Sequence, residues 1–371
     1  MTDIPLNQQL HGFIDDLERT LDHHGEPIDC DAVVLCGVGG SAVSGDVAAD
    51  CYRMISPVPL YTVKNPDIPN WAGSRTLAIV SSYSGNTAET LEMYRQAKEK
   101  GCTVVALTSG GRLKDLATLN GDRVMLLPPS MQPRHAIGYM IGYTLAIIRD
   151  AGASDISEEI RAFLPDLREW RDREAIPDGC LARRIAESFR DKVPVVCSGP
   201  SMRSVAFRWK TQINENSKRV AFFDAVPEFD SCDLAAWASS HRDNYVLILL
   251  MGCDEGRDLM EMFDKELESA GSSHLAVRLG GSSPLEDLFR AIILGDYVSM
   301  YMALSRGIDP AEVRPVMQMK AKLSQRWPID GPTSRRGSPR TPSRISSSAP
   351  PPVQDPRIRS ISCISAPFRR A

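Results

Sequence analysis

Two short stretches carry the residue types for holding an anion without a metal. Gly37-Val38-Gly39-Gly40-Ser41 closes an apolar run, and Ser82-Tyr83-Ser84-Gly85-Asn86-Thr87 sets three hydroxyls within six residues around a Gly-Asn turn. Each stands directly before a segment that reads as a helix. A glycine turn lets backbone N–H groups approach an anion, a helix N-terminus adds a favourable dipole, and hydroxyls supply further donors. That combination suits a phosphate monoester. The glycine stretch alone is equally an ordinary tight turn, and Ser or Thr before a helix is equally a cap, although one residue suffices for capping. A dinucleotide or a nucleoside triphosphate is not supported. Position 42 is Ala where G-x-G-x-x-G needs its last glycine, and no G-x-x-x-x-G-K-[ST] occurs.

The elements that must position these turns follow from the hydrophobic period. Residues 5–25 place Leu6, Leu10, Phe13, Ile14, Leu17 and Leu21 at spacings of three and four, an amphipathic helix whose last turn carries His23 and His24 as cations. Short apolar runs then predict strands at 32–36, 60–63, 76–81, 103–107 and 123–127, alternating with helices that include 88–100 and 136–151. A charged, helical stretch over 156–188 precedes a second cycle: strands at 193–197, 245–251 and 274–278, and helices at 202–218, 284–305 and 311–324. Strands alternating with helices predict an α/β fold with parallel, doubly wound (flavodoxin-like) sheets covered on both faces, in two halves of similar layout. The expected organisation is an N-terminal domain over 1–152, a helical connector over 153–190, a C-terminal domain with its last helix over 191–328, and a tail over 329–371.

The chain's net charge of −4 conceals an asymmetry. Residues 331–371 carry eight Arg against one Asp, a net of +7, which leaves −11 on residues 1–330. The tail also holds nine Ser and eight Pro with its few apolar residues unpatterned, so it is expected to stay disordered and to be dispensable for fold and activity. An acidic body argues against a nucleic-acid partner. The longest apolar stretch, near 245–252, is less than half of the ~20 residues needed to cross hydrocarbon, and the N-terminus lacks a secretory pattern, so no membrane partner and a cytoplasmic location are expected. Nine widely spaced cysteines, with no C-x-x-C pair, read as reduced thiols rather than a zinc site or disulfide framework.

Taken together, the glycine turn and the Ser82-x-Ser84-Gly85-x-Thr87 loop resemble the sugar isomerase (SIS) domain. Pro133-Arg134-His135-Ala136, the stretch Arg208 to Lys218, Leu294-Gly295-Asp296-Tyr297-Val298-Ser299 and Arg306-Gly307-Ile308-Asp309-Pro310 resemble the bifunctional phosphoglucose/phosphomannose isomerase family, in that family's order, over about residues 5–325. The resemblance implies two SIS domains and an aldose–ketose isomerase that interconverts glucose 6-phosphate, and mannose 6-phosphate, with fructose 6-phosphate in glycolysis and gluconeogenesis. It implies no metal or cofactor, and a homodimer with the site at the domain interface. Such chemistry moves a proton between C1 and C2 through a cis-enediol(ate), which calls for a carboxylate base and a cation near the developing oxyanion. By resemblance, Gly40, Ser41, Ser82, Ser84 and Thr87 hold phosphate and sugar, Arg134 stabilises the enediolate and binds substrate, Glu215 is the base, and Lys320 stands near the sugar ring oxygen.

Each of these has a plain reading. Glu215 is also placed to be an i,i+4 partner of Arg219, although two flanking asparagines are unusual for a solvated helix face. Arg134 and Lys320 are equally surface charges by type, and His135, ahead of an apolar helix, reads as packing or capping. One departure from the family stands out: Asp230-Ser231-Cys232 falls where the family carries Asn-His-Asn, so Ser231 replaces the ring-opening histidine, and serine does not titrate near neutral pH. Lys320, Asp230, Asp233 or His241 are candidates to take over that step. The alternative is a sugar-phosphate-binding or regulatory SIS protein that retains the phosphate loops without full turnover. An amidotransferase-type isomerase is disfavoured, because no N-terminal Cys nucleophile is present.

Overall fold

The computed structural model describes residues 6–237 and 244–326, which fall within one compact unit, Met1–Ile329. The tail over 329–371 and His241 lie outside the described residues. The N-terminal half contains α1 (Leu6–His11), α2 (Phe13–Leu21), β1 (Ala32–Gly37), α3 (Gly40–Tyr52), β2 (Leu60–Val63), β3 (Thr76–Ser81), α4 (Ala88–Glu99), β4 (Thr103–Thr108), α5 (Gly111–Leu119), β5 (Arg123–Leu126) and α6 (Ile137–Asp150). Next come α7 (Ser157–Ala175) and α8 (Leu181–Phe189). The second half contains β6 (Val193–Ser198), α9 (Arg203–Ser217), β7 (Phe222–Ala225), α10 (Glu228–Cys232), α11 (Leu234–Trp237), β8 (Tyr245–Met251), α12 (Arg257–Ser269), β9 (His274–Arg278), α13 (Pro284–Leu304) and α14 (Arg314–Arg326).

The strands form a five-stranded sheet in the order β2-β1-β3-β4-β5 and a four-stranded sheet in the order β7-β6-β8-β9, every described pairing parallel. This is the doubly wound α/β arrangement. Strands such as β3 are buried along their whole length, which is why they read as continuous apolar runs rather than alternating ones. In the first sheet the winding direction reverses between β1 and β3, whose last residues Gly37 and Ser81 are paired. The connections leaving these two strands diverge there and open a crevice at the carboxyl ends, the place where such sheets take ligands. The second sheet reverses in the same way between β6 and β8.

Three expectations are corrected in detail. The leading helix is two segments, broken at Gly12. The last helix starts at Arg314 rather than residue 311, because Asp309 accepts the Ala311 N–H (2.9 Å) in a turn and Pro315 suits the first helical turn. His23 is no terminal cation: it lies beyond α2, and burial together with the Arg123 guanidinium, whose Nη2 is 2.9 Å from its Nε2, lowers its pKa.

The two halves are joined by helices rather than by strands. Between the halves, the start of α9 meets α3, where Asp50 accepts the Ser204 N–H (2.9 Å), and Arg208 of α9 donates to the Arg134 carbonyl (3.0 Å); within the second half, α13 is buried on nearly every face and packs along α9, with Trp209 donating its indole N–H to the Ala291 carbonyl (2.8 Å). Polar groups lock the same seam. Arg208 donates to Asp296 (2.7 Å), Gln212 donates to the other oxygen of that carboxylate (3.0 Å), and Asn216 donates to Ser299 (2.9 Å). Burial pushes the Asp296 carboxyl up and Arg208 opposes it. Deleting one partner of such a pair leaves a buried charge uncompensated, which costs about 3–5 kcal/mol.

Candidate active site

The glycine turn after β1 does two jobs. Gly39, at φ +63°, turns the chain into α3, and Gly40 begins the helix against the Pro133–Arg134 backbone. A Cβ on Gly40 would lie 3.2 Å from the Arg134 Cα and 3.3 Å from the Pro133 carbonyl oxygen, so a larger residue would push the Arg134 segment away from the helix N-terminus. Ser41 is buried and its Oγ accepts the Tyr83 N–H (3.3 Å), which ties the first turn to the second.

In the second loop, buried Ser82 donates to Thr87 Oγ1 (3.2 Å), and exposed Ser84 accepts the Asn86 N–H (3.3 Å). Thr87 stands at the N-cap of α4, yet its side chain makes no capping bond. Gly85, at φ +66°, lets the loop press against the Gly110 carbonyl. Above this loop lies a cavity of about 190 Å³ lined by Ser84, Asn86, Thr87, Ala88, Glu89 and, from α14, Lys320. Hydroxyls, the first N–H groups of α4 and a lysine thus converge. Ser41 and Ser82 do not line this cavity; Ser41 ties the two turns together and Ser82 braces the second through Thr87.

A second cavity, of about 60 Å³, is lined by the Gly39–Gly40 turn together with Lys64, Arg134, Phe207, Arg208, Thr211 and Glu215. Here two residues 81 positions apart in sequence meet: Arg134 Nη1 is 3.6 Å from Glu215 Oε2. The Arg134 side chain is 5% exposed and the Glu215 side chain 35%. Arg134 is fixed by Asn216 Oδ1 (2.9 Å), Gln132 Oε1 (3.3 Å) and the Pro310 carbonyl (2.8 Å), while its own carbonyl accepts from Arg208 (3.0 Å). Burial lowers the Arg134 pKa and Glu215 opposes the shift.

The plain reading of Glu215 does not hold, because Arg219 donates instead to the Arg190 and Lys192 carbonyls. The flanking asparagines have identifiable work. Asn216 bridges Arg134 and Ser299, and Asn214 accepts the Ala221 N–H (3.1 Å) where the chain leaves α9. His135 is wholly buried with neither ring nitrogen hydrogen-bonded, and burial beside Arg134 and Arg208 holds its pKa well below the usual histidine range. Ser231, Asp230 and Asp233 lie on or just beyond α10 and line neither cavity. Lys64 was not singled out by its sequence context. It follows β2 directly, and a position at the carboxyl end of a parallel strand is the signal that points to it.

The second sheet's crevice has the same topology and different contents. Ser201, after β6, gives both its N–H (3.3 Å) and its hydroxyl (2.7 Å) to Asp254 Oδ2, which follows β8. Asp287 from α13 likewise accepts the Cys253 (2.8 Å) and Gly281 (2.7 Å) N–H groups. The donors that a bound anion would use are already taken by the protein's own carboxylates.

A family model for the bacterial phospho-glucose isomerase C-terminal SIS domain matches residues 180–323. Among curated relatives, a bifunctional phosphoglucose/phosphomannose isomerase of Caldicellulosiruptor bescii is 33% identical over 311 residues, covering 80% of this chain and 91% of the relative. One of the same name from Thermoplasma volcanium is 30% identical, covering 79% and 92% respectively. Among solved structures, the C-terminal domain of glucosamine-fructose-6-phosphate aminotransferase from Francisella tularensis superposes with a TM-score of 0.66 over 82% of this chain and 97% of that one, at 14% identity, a likeness of fold.

Proposed function

The chain belongs to the bifunctional phosphoglucose/phosphomannose isomerase family and is a sugar-phosphate isomerase; from its geometry we propose that it interconverts glucose 6-phosphate and mannose 6-phosphate with fructose 6-phosphate through a cis-enediol(ate). In this reading the phosphate sits at the N-terminus of α4, held by Ser84 and Thr87, with Lys320 of α14 at the sugar ring oxygen, Ser41 and Ser82 shaping the cradle and Gly40 giving the sugar room to pass. The reacting carbons reach the second cavity. Glu215 carries the proton between C1 and C2, and Arg134 stabilises the negative charge that develops on the enediolate oxygen. A homodimer completes the proposal.

One observation carries this reading. A carboxylate and a fixed guanidinium, 3.6 Å apart, border a cavity joined by the Gly39–Ser41 turn to a cradle of hydroxyls and a helix N-terminus. A base placed beside the cation that will receive the developing charge suits proton abstraction next to a carbonyl. The test is conversion of fructose 6-phosphate to glucose 6-phosphate by the purified protein, with mannose 6-phosphate scored in parallel and Glu215→Gln as control.

A second reading, binding without full turnover, is favoured by Ser231 alone. Thermal stabilisation by fructose 6-phosphate with no turnover would select it.

A further inference from the structure

With the 6-phosphate anchored at the start of α4, turnover depends on how far that anchor stands from Arg134, because one sugar must meet both. Arg134 rides on the stretch that joins β5 to α6. Along it Ser130 takes φ +67°, a conformation that a non-glycine residue keeps only where its surroundings hold it. Tyr83 supplies that hold. Its hydroxyl donates to the Pro128 carbonyl (2.7 Å) and accepts the Met131 N–H (2.8 Å), so one oxygen closes the turn around Ser130 from both sides. The ring belongs to a small buried cluster with Leu127, Ala136 and Met140, which flank the same stretch. Directly beyond Met131, the Gln132 carbonyl accepts the His135 (2.8 Å) and Ala136 (3.1 Å) N–H groups, and its side chain accepts from Arg134 (3.3 Å).

The main chain of the same tyrosine lies in the loop that carries Ser84 and Thr87. Its N–H is given to Ser41 Oγ (3.3 Å), and its carbonyl accepts both the N–H (2.9 Å) and the hydroxyl (2.7 Å) of Ser109. One end of Tyr83 is thus fixed with the hydroxyl cradle and the other with the approach to Arg134, and a rigid aromatic ring spans the two. Burial raises the pKa of the phenol, so it stays protonated and keeps both of its bonds through the neutral range. Tyr83 lines neither cavity. Resting on the isomerase reading above, we propose that Tyr83 is a positioning residue that sets the register between the phosphate cradle and Arg134. A sugar anchored by its phosphate then presents its reacting carbons at a set distance from the cation, which is the use of remote binding energy that raises kcat. A sugar without phosphate has no anchored end and is indifferent to that register.

Tyr83→Phe removes the hydroxyl and leaves the ring. With fructose 6-phosphate, kcat per folded protein, the folded fraction being read from a thermal melt, is expected to fall about tenfold or more. KM and the inhibition constant of inorganic phosphate are expected to stay within about threefold. The loss stops short of a base's because Gln9 on α1 also holds the stretch, accepting the Gln132 N–H (2.7 Å). Fructose without phosphate, followed by solvent deuterium entering C1, is expected to exchange within about threefold of the wild-type rate, a split that general loosening of the fold does not produce. Native-state hydrogen exchange reads the link without catalysis: the Met131 amide is expected to lose protection about tenfold or more in Tyr83→Phe. An unchanged kcat, a phosphate affinity that falls with kcat, equal losses on the two sugars, or unchanged Met131 protection would each overturn the proposal. The isomerase reading fails separately, if the wild-type protein does not turn over fructose 6-phosphate.

Discussion

The two crevices share one topology and differ in who supplies the negative charge. At the β1/β3 crevice the loop ends in Ser84 and Thr87, whose side chains face an open cavity. At the β6/β8 crevice Asp254 reaches over the turn and takes the N–H and hydroxyl of Ser201. The second half has satisfied its own donors, so it has no need of a ligand and is free to serve as a wall. From that wall, α9 delivers Glu215 and Phe207 to the first half's cavity. In the proposed reading, a repeated fold thus gives one site from the two described crevices.

The comparison can be broken most severely at the base. Glu215→Gln is expected to lower kcat about a thousandfold, within the usual range for a general base, with little change in Tm because the side chain is partly exposed; steady-state kinetics and a thermal melt check both halves of that statement. Importing the second crevice's solution into the first comes next. Ser84→Asp places a carboxylate where the phosphate is to sit, and KM is expected to rise about a hundredfold while kcat changes far less. The converse change tests the closed crevice. Asp254→Asn should leave kcat/KM unchanged and cost about 1–2 kcal/mol of stability through weakened bonds from Ser201, read as a drop in Tm.

The smallest effect concerns the joint between the halves. Asp50 on α3 accepts the Ser204 N–H (2.9 Å) at the start of α9, and burial pushes its carboxyl up to about 6. The folded state then holds this proton more tightly than the unfolded chain does, so stability falls as pH rises from about 4 through 6. Asp50→Asn should flatten that part of the Tm–pH curve.

Much of the frame was legible in sequence, for physical reasons visible in particular elements. β3 is buried throughout, and β1 and β8 after their first residues, so they print apolar runs, and Gly39 and Gly85 mark turns that only positive φ allows. β7 was missed because it is a short edge strand with Phe222 exposed, and α12 because its polar face masks the few residues it buries. The Ser82–Thr87 loop declared itself by local chemistry. Arg134 and Glu215 did not: each is one charge among many until folding sets them 3.6 Å apart, and only the family resemblance singled them out. Lys64 had neither kind of signal. It becomes conspicuous once Asp46 and Phe207, from different elements, close around it.

The central claim is that the first crevice alone does proton-transfer chemistry, with Glu215 as its base. Running the reaction from fructose 6-phosphate in heavy water and following deuterium at the carbon-bound positions tests it directly. The account predicts that wild-type protein introduces solvent deuterium, that Asp254→Asn does so at the same rate, and that Glu215→Gln binds the sugar phosphate but exchanges at least about a hundredfold more slowly. Exchange by Glu215→Gln at the wild-type rate would contradict it and place the base elsewhere.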